Sequence, residues 1–427
     1  MFVESFYVLC IACAALYHYT RTSVENNEDP GFAAFQKTYL TVYLMAVAAD
    51  WLQGPHVYAL YQSYGMSKHD IEILFIAGFG SSLLFGTFIG SFADKFGRRN
   101  NCLLYGILYG LSCITKHFDN LEVLLIGRFF GGIATSILYS AFESWVVCEH
   151  NERGYSEAQL GTLFSHASLG NSLMAIFSGV AAQKVAESYG YVAPFDFSLI
   201  VLTVMCLFII RTWSENYGDE IAPLKTMFSK GIESIRSDVN VFCIGLVQSL
   251  FEGSMYTFVL EWTPALSQAT FATIPHGYIF AGFMVATMMG SSIFKLLTRT
   301  RRPEEFMRYV LLLSAACMAV PVLVPTKAAL IFIAFLTFEV CVGIFWPAMG
   351  FLRGTYLPEE TRSTIINLFR IPLNLIVIFI LWQDYSMDVI FQFCVVFLLL
   401  AALAQHVFYR NTSHTIQIEK ASTVMEA

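Results

Sequence analysis

Largely apolar runs, each long enough to cross a bilayer core of roughly 30 Å as a helix, recur from one end of the chain to the other. Only 13% of the 427 residues are charged, against roughly 25% in a soluble protein. A chain so poor in charge is solvated by something other than water. Its 39 Phe and 21 Tyr fit a lipid-facing and interfacial load. The reading is an all-α polytopic membrane protein.

Hydropathy predicts helices near residues 2–20, 38–63, 70–92, 101–117, 121–148, 158–188, 191–213, 240–265, 274–297, 305–324, 327–350, 360–382 and 386–410. One long polar connection, SENYGDEIAPLKTMFSKGIESIRSDVN, interrupts them. The expected organisation is an N-terminal anchor helix with its loop (1–37), a six-helix bundle (38–213), a linker (214–239), a second six-helix bundle (240–410) and a tail (411–427). Two such halves joined by a polar linker describe a secondary transporter. The first run has an acidic flank, MFVES, and is followed by Arg21. This predicts an uncleaved extra transmembrane helix with its N-terminus outside. Most of the 25 basic residues then fall on the cytosolic side, with only Lys68, Lys116, Lys184 and Lys327 opposite, as the positive-inside bias requires. The C-terminus is expected in the cytosol. Cys10 and Cys13 form a CxxC inside an apolar run with no second pair, which argues for packing rather than metal.

The loop GSFADKFGRRN, residues 90–100, carries the pattern G-xxx-D-K-x-G-R-R. It resembles the signature loop of the major facilitator superfamily. Gly90 allows close helix approach, Gly97 permits a tight turn, and Asp94 can pair with Arg98 or with a helix end of the other half. With Arg99 these form a conformational latch that would favour the outward-open state. The matching loop of the second half keeps Gly290 and a basic run but lacks the acid. GRFFGG, residues 127–132, places Arg128 in a helix followed by glycines that let helices approach.

Arg370 lies in NLFRIPLN, about ten residues into a predicted helix and so roughly 15 Å deep. Facing lipid there would cost from about 2.5 to above 10 kcal/mol, depending on the scale. It must face a cavity or a carboxylate. Asn367, Arg370 and Asn374 share one helix face and present several donors to one point, which suits an oxyanion. In the corresponding helix of the first half stand Ser165, His166, Ser168 and Asn171. Arg370 and His166 would make a small cationic pocket. Asp50, Glu252, Glu143, Glu261 and Glu339 are buried or half-buried acids. They serve either to neutralise Arg128 and Arg370 or to couple protons.

The segments ADWLQGPHVYALYQSYG, SAFESW, SENYG, LFEGSMYTFVLEWTP, FLRGTYLPEETR and NLFRIPLN together resemble the eukaryotic molybdate-anion transporter family, over about residues 36–380. The resemblance implies uptake of molybdate, a tetrahedral dianion, across the plasma membrane, and the extra N-terminal helix fits it. It also implies that the position of His166 is often Arg in the family, giving this chain a weaker or pH-sensitive positive site. Sulfate and tungstate share the ligand's shape and charge. The sequence contains no P-loop, so a gradient is the expected energy source. Neither a nucleophile–base constellation nor metal spacing stands out; no enzyme, cofactor or nucleic-acid partner is expected, and the chain is read as a monomer. Two other readings keep the fold: a proton-coupled exporter of small organic solutes that uses Asp50 and Glu252, and a non-transporting membrane receptor.

Overall fold

The computed structural model describes residues 2–22, 30–218, 224–270, 276–382 and 385–426. The middle of the expected linker (219–223), most of the first loop (23–29) and the last tail residue lie outside them. No strand occurs among the described residues. The helices are α1 (Phe2–Thr22), α2 (Pro30–Gln53), α3 (Val57–Ser63), α4 (Lys68–Leu84), α5 (Gly86–Phe96), α6 (Arg98–Thr115), α7 (Leu121–Leu138), α8 (Ala141–Glu152) and α9 (Glu157–Tyr189). They continue as α10 (Ala193–Thr212), α11 (Leu224–Ser237), α12 (Val239–Thr270), α13 (His276–Leu297), α14 (Pro303–Leu323), α15 (Ala328–Tyr356), α16 (Arg362–Trp382) and α17 (Met387–Glu426).

Among the described residues, eight helices are long and apolar enough to cross a membrane, or nine if the α4–α5 pair, bent by 51°, is one span. Thirteen were expected. Helices α2, α6 and α9 have 24, 18 and 33 residues, so length does not exclude them. They are more polar than the eight rather than too short: α6 opens Arg98-Arg99-Asn100-Asn101, and α9 carries Ser165, His166, Ser168, Asn171 and Ser172.

Three expected helices are broken. The run 38–63 turns at Gly54-Pro55, where proline opens a short 3-10 turn between α2 and α3. The run 70–92 bends at Phe85, and 121–148 divides at Tyr139-Ser140 into α7 and α8. The last two breaks face each other, because a Cβ on Gly86 would meet the Ser136 hydroxyl at 2.1 Å.

The chain forms two compact units. The first comprises residues 24–232 and 358–378, the second residues 1–23, 233–357 and 379–427. Most of α16 therefore packs with helices from the first part of the chain. In the first unit α2 packs on α9 and α10, α4 on α7, and α6 on α7 and α10. Small residues set these distances: a Cβ on Gly132 would stand 2.2 Å from the Gly78 carbonyl oxygen. The core is aromatic, with Trp145 and Trp213 stacked at 3.7 Å and Tyr105 edge-on to Phe142.

In the second unit α12 packs on α15 and α17, α13 on α15 and α1, and α14 on α15 and α17. Gly290 and Gly343 bring α13 and α15 into backbone contact, since a Cβ on Gly343 would lie 2.0 Å from the Thr287 carbonyl oxygen. Phe251 stacks on Phe345 at 3.8 Å. Helix α1 lies along α13 through Phe6 and Tyr278, and the Thr20 carbonyl accepts from Arg299 Nη2 at 3.3 Å.

Candidate anion site and latch

Helix α16 carries or meets both groups of candidate side chains in the first unit. Its first turn meets the 90–100 loop. Asp94 and Arg98, one turn apart on either side of Gly97, are fully buried. Burial of such a pair costs several kcal/mol per ion unless every lone pair and proton finds a partner. Here they do. Asp94 Oδ1 accepts from Arg98 Nε at 3.1 Å and Nη2 at 2.9 Å, and Oδ2 accepts from the Thr364 N–H and hydroxyl, both at 2.9 Å. Asp94 thus pairs with Arg98 and caps the start of α16 at once. Arg98 also donates to the Glu359 carboxylate and carbonyl, each at 2.6 Å, and to the Ser144 carbonyl at 3.3 Å. Arg362 closes the cluster on Glu359. Gly90 lets this end of α16 approach, because a Cβ there would lie 2.4 Å from the Ser363 carbonyl oxygen. Gly97 takes φ +105°, a conformation that side chains disfavour.

A residue that the motif does not include holds the loop in place. Gly97 offers no side chain to cap α6, so Glu215 does so from a distance, accepting from the Arg99 N–H at 2.8 Å and the Asn100 N–H at 3.1 Å. Burial pushes the Glu215 carboxyl above the usual carboxylate range, while these N–H groups and that of Asn216 pull it down only in part. The Asn216 carbonyl accepts from the Arg98 N–H at 3.0 Å, and the Gly218 N–H donates to the Asp94 carbonyl at 2.8 Å. Residues 213–218 form a strap under the loop, seated on Trp145 and Glu149.

Deeper along α16 stand Asn367, Arg370 and Asn374, each at most 4% exposed. The Arg370 guanidinium lies 5.0 Å from the centre of the Tyr139 ring. Among the described residues it has no ion pair, and its Nε and Nη1 have no acceptor. A buried cation without an acceptor is costly, and an anion beside it would offset that cost. Asn374 Nδ2 reaches Ser82 Oγ at 3.4 Å, and Ser82 shares a hydrogen bond with Ser136 at 2.7 Å. Asn367 Nδ2 donates back to the Ser363 carbonyl, leaving its amide oxygen without a donor.

The other sequence candidates are dispersed. Asn171 Oδ1 on α9 accepts from Trp51 Nε1 at 2.9 Å. Ser165 is buried and His166 half-buried on the same helix. Asp50 on α2 accepts from the Tyr109 hydroxyl. Arg128 on α7 donates to the Leu74 carbonyl at 3.2 Å and stands over the Phe75 ring, without an ion pair among the described residues. Glu143 is half-buried near the start of α8. In the second unit, Glu252 is buried and Glu339 accepts from Thr287 Oγ1 at 2.9 Å. The described residues hold no group of His, Cys, Asp and Glu fit for a metal. Tyr139, Ser82, Thr364, Glu359 and Glu215 were not singled out by the sequence reading, although Glu359 and Glu215 stand inside segments that carried the family resemblance.

Comparison with known proteins adds to this geometry. A family model, MFS_5, described as "Sugar-tranasporters, 12 TM", matches residues 1–343. The molybdate-anion transporter of Xenopus tropicalis is 34% identical over 395 residues, 88% of this chain and 86% of the relative. That of Danio rerio is 33% identical over 396 residues, 84% and 80% respectively. Among solved structures, the human organic anion transporter MFSD10 (TETRAN) superposes with a TM-score of 0.70 at 15% identity, covering 88% of this chain and all of that one. A bacterial homologue of the iron transporter ferroportin gives 0.72 at 14% identity, over 88% of this chain and 99% of its own.

Proposed function

The chain belongs to the molybdate-anion transporter family of the major facilitator superfamily, and from that premise we propose that it carries molybdate across the plasma membrane by alternating access. The observation that carries the site assignment is Arg370: buried, without a carboxylate partner among the described residues, and with two guanidinium nitrogens lacking acceptors. An oxyanion arriving there would gain charge-assisted hydrogen bonds without displacing an ion pair. Asn374, Asn367 and the Ser82–Ser136 pair would supply further polar contacts, and Ser165, His166 and Asn171 a second polar wall. Tungstate and sulfate present the same tetrahedral dianion and are the expected competitors.

The Asp94–Arg98–Glu359 cluster is the proposed latch. It must release Thr364 for the first turn of α16 to move, and every partner it loses leaves a buried charge exposed to that cost. Asp50, Glu252 and Glu339 are the groups proposed to couple transport to protons. Two six-helix bundles, an outer N-terminus, a cytosolic C-terminus and a monomer complete the reading.

The test is uptake of labelled molybdate into vesicles at two pH values, with sulfate and tungstate as competitors. Arg370→Ala should abolish flux, whereas Asp50→Asn should alter its pH dependence. Uptake that survives Arg370→Ala but fails in Asp50→Asn would reject the site. Flux of the wild type indifferent to molybdate would reject the substrate.

A further inference from the structure

Helix α7 carries a second cation, Arg128, eleven residues before Tyr139. Eleven residues are three turns plus about 20°, so the two side chains leave the same face of the helix roughly 16 Å apart. Between them on that face lie Gly131 and Thr135, and all four positions are half-exposed while Gly132 and Ser136 beside them are buried against α4. A half-open line of Arg, Gly, Thr and Tyr does not suit lipid; it suits the wall of a polar passage.

A second basic side chain stands at the Arg128 end of that line. Lys116, which follows the last turn of α6, is 1% exposed, and its ammonium donates to the Tyr61 hydroxyl at 3.0 Å. Among the described residues neither Lys116 nor Arg128 has an ion pair, and the two helices meet beside them, because a Cβ on Gly127, the residue before Arg128, would stand 1.9 Å from the hydroxyl of Thr115, the residue before Lys116. Two basic groups brought together out of water disfavour each other's charged form, and an anion beside them would offset that. Helix α6 separates Lys116 from Arg98 by its full length of 18 residues, roughly 27 Å, so the pair lies at the end remote from the latch.

We propose that Lys116 and Arg128 form a second oxyanion site, a capture station in line with Arg370 along the open face of α7. The ligand is the tetrahedral dianion of the preceding reading, but the site does not depend on Arg370. Arg128 supplies the half-exposed guanidinium that meets the anion, and Lys116 with Tyr61 supplies charge behind it. Two stations let an incoming anion be held at one while the other delivers, the arrangement that conduction through successive weak sites requires.

The test is equilibrium dialysis of labelled molybdate against the purified full chain in detergent, combined with uptake kinetics. The wild type should bind two anions per chain. Arg128→Gln and Lys116→Met should each bind one and show a KM for uptake raised about tenfold with little change in maximal rate. Arg128→Lys, which keeps the charge, should bind two and so separates loss of the site from misfolding. Arg370→Gln should also bind one anion but lose transport altogether. A wild type that binds one anion, or an Arg128→Gln variant with unchanged stoichiometry and KM, would overturn the second station while leaving molybdate transport standing. A wild type that binds no molybdate would overturn both.

Discussion

The guanidinium of Arg370 lies 5.0 Å from the centre of the Tyr139 ring, with its Nε and Nη1 left without acceptors. The ring covers one face of the cation and leaves its edge uncovered. Such a contact is worth about 0.5–2 kcal/mol, enough to orient the guanidinium but not to replace a counter-ion.

Replacing Tyr139 separates these effects. Tyr139→Phe should keep molybdate uptake within about twofold, whereas Tyr139→Leu should raise KM roughly 2- to 30-fold, as loss of a contact of that size dictates. Uptake kinetics in vesicles decide it. An unchanged KM in Tyr139→Leu would mean that the ring does not position Arg370.

Loss of the acid in the 90–100 loop should be severe. Asp94→Asn leaves Arg98 buried without its one fully buried counter-charge, and removal of one partner of a buried pair costs about 3–5 kcal/mol. Thr364→Val removes only the hydroxyl of the same contact and should cost about 1 kcal/mol. Thermal unfolding in detergent should rank them in that order. Equal losses would show that Arg98 is satisfied by Glu359 alone.

Glycines in α4 and α7 divide by what surrounds them. Gly132→Ala would drive a methyl into the Gly78 carbonyl and the Ser81 hydroxyl and should destabilise by about 1–3 kcal/mol. Gly80 has open space where its Cβ would be, so Gly80→Ala should be neutral or stabilising by up to about 1 kcal/mol. Melting temperatures of the two variants test this directly.

The pH dependence of stability should contain a contribution from Glu215. Its carboxyl is raised in the folded protein by burial, so folding takes up protons there. That contribution is present at low pH and is lost as pH rises through the raised value. The wild type should therefore gain stability relative to Glu215→Gln as pH falls from about 7 towards about 4. A difference that moves the other way, or not at all, would contradict the burial assigned to this group.

How much of this was legible in the sequence follows the range of the forces involved. The membrane class and the Gly90–Asp94–Gly97–Arg98 turn could be read because hydropathy and turn geometry act over a few residues. Asn367, Arg370 and Asn374 could be placed on one face by helical spacing alone. The breaks at Phe85 and Tyr139 could not, because they arise where Gly86 of one helix meets Ser136 of another. Tyr139 gave no local sign of lying beneath Arg370, since the contact joins distant parts of the chain. Glu215 read as one acid in a polar linker, and its role depends on N–H groups 116 residues earlier. The dispersed acids were expected either to offset Arg128 and Arg370 or to couple protons; composition could supply their number but not their distances.

The indoles of Trp145 and Trp213, parallel and 3.7 Å apart, have an optical consequence. Trp145 also donates to the carbonyl of Ser214, the residue next to Trp213 and the first step of the strap that carries Glu215. Any motion that lifts the strap from its seat must part the two rings, and stacked indoles differ from separated ones in emission wavelength and intensity. Only four other tryptophans contribute background. The chain therefore carries a built-in fluorophore pair whose signal would report such a motion with no label attached.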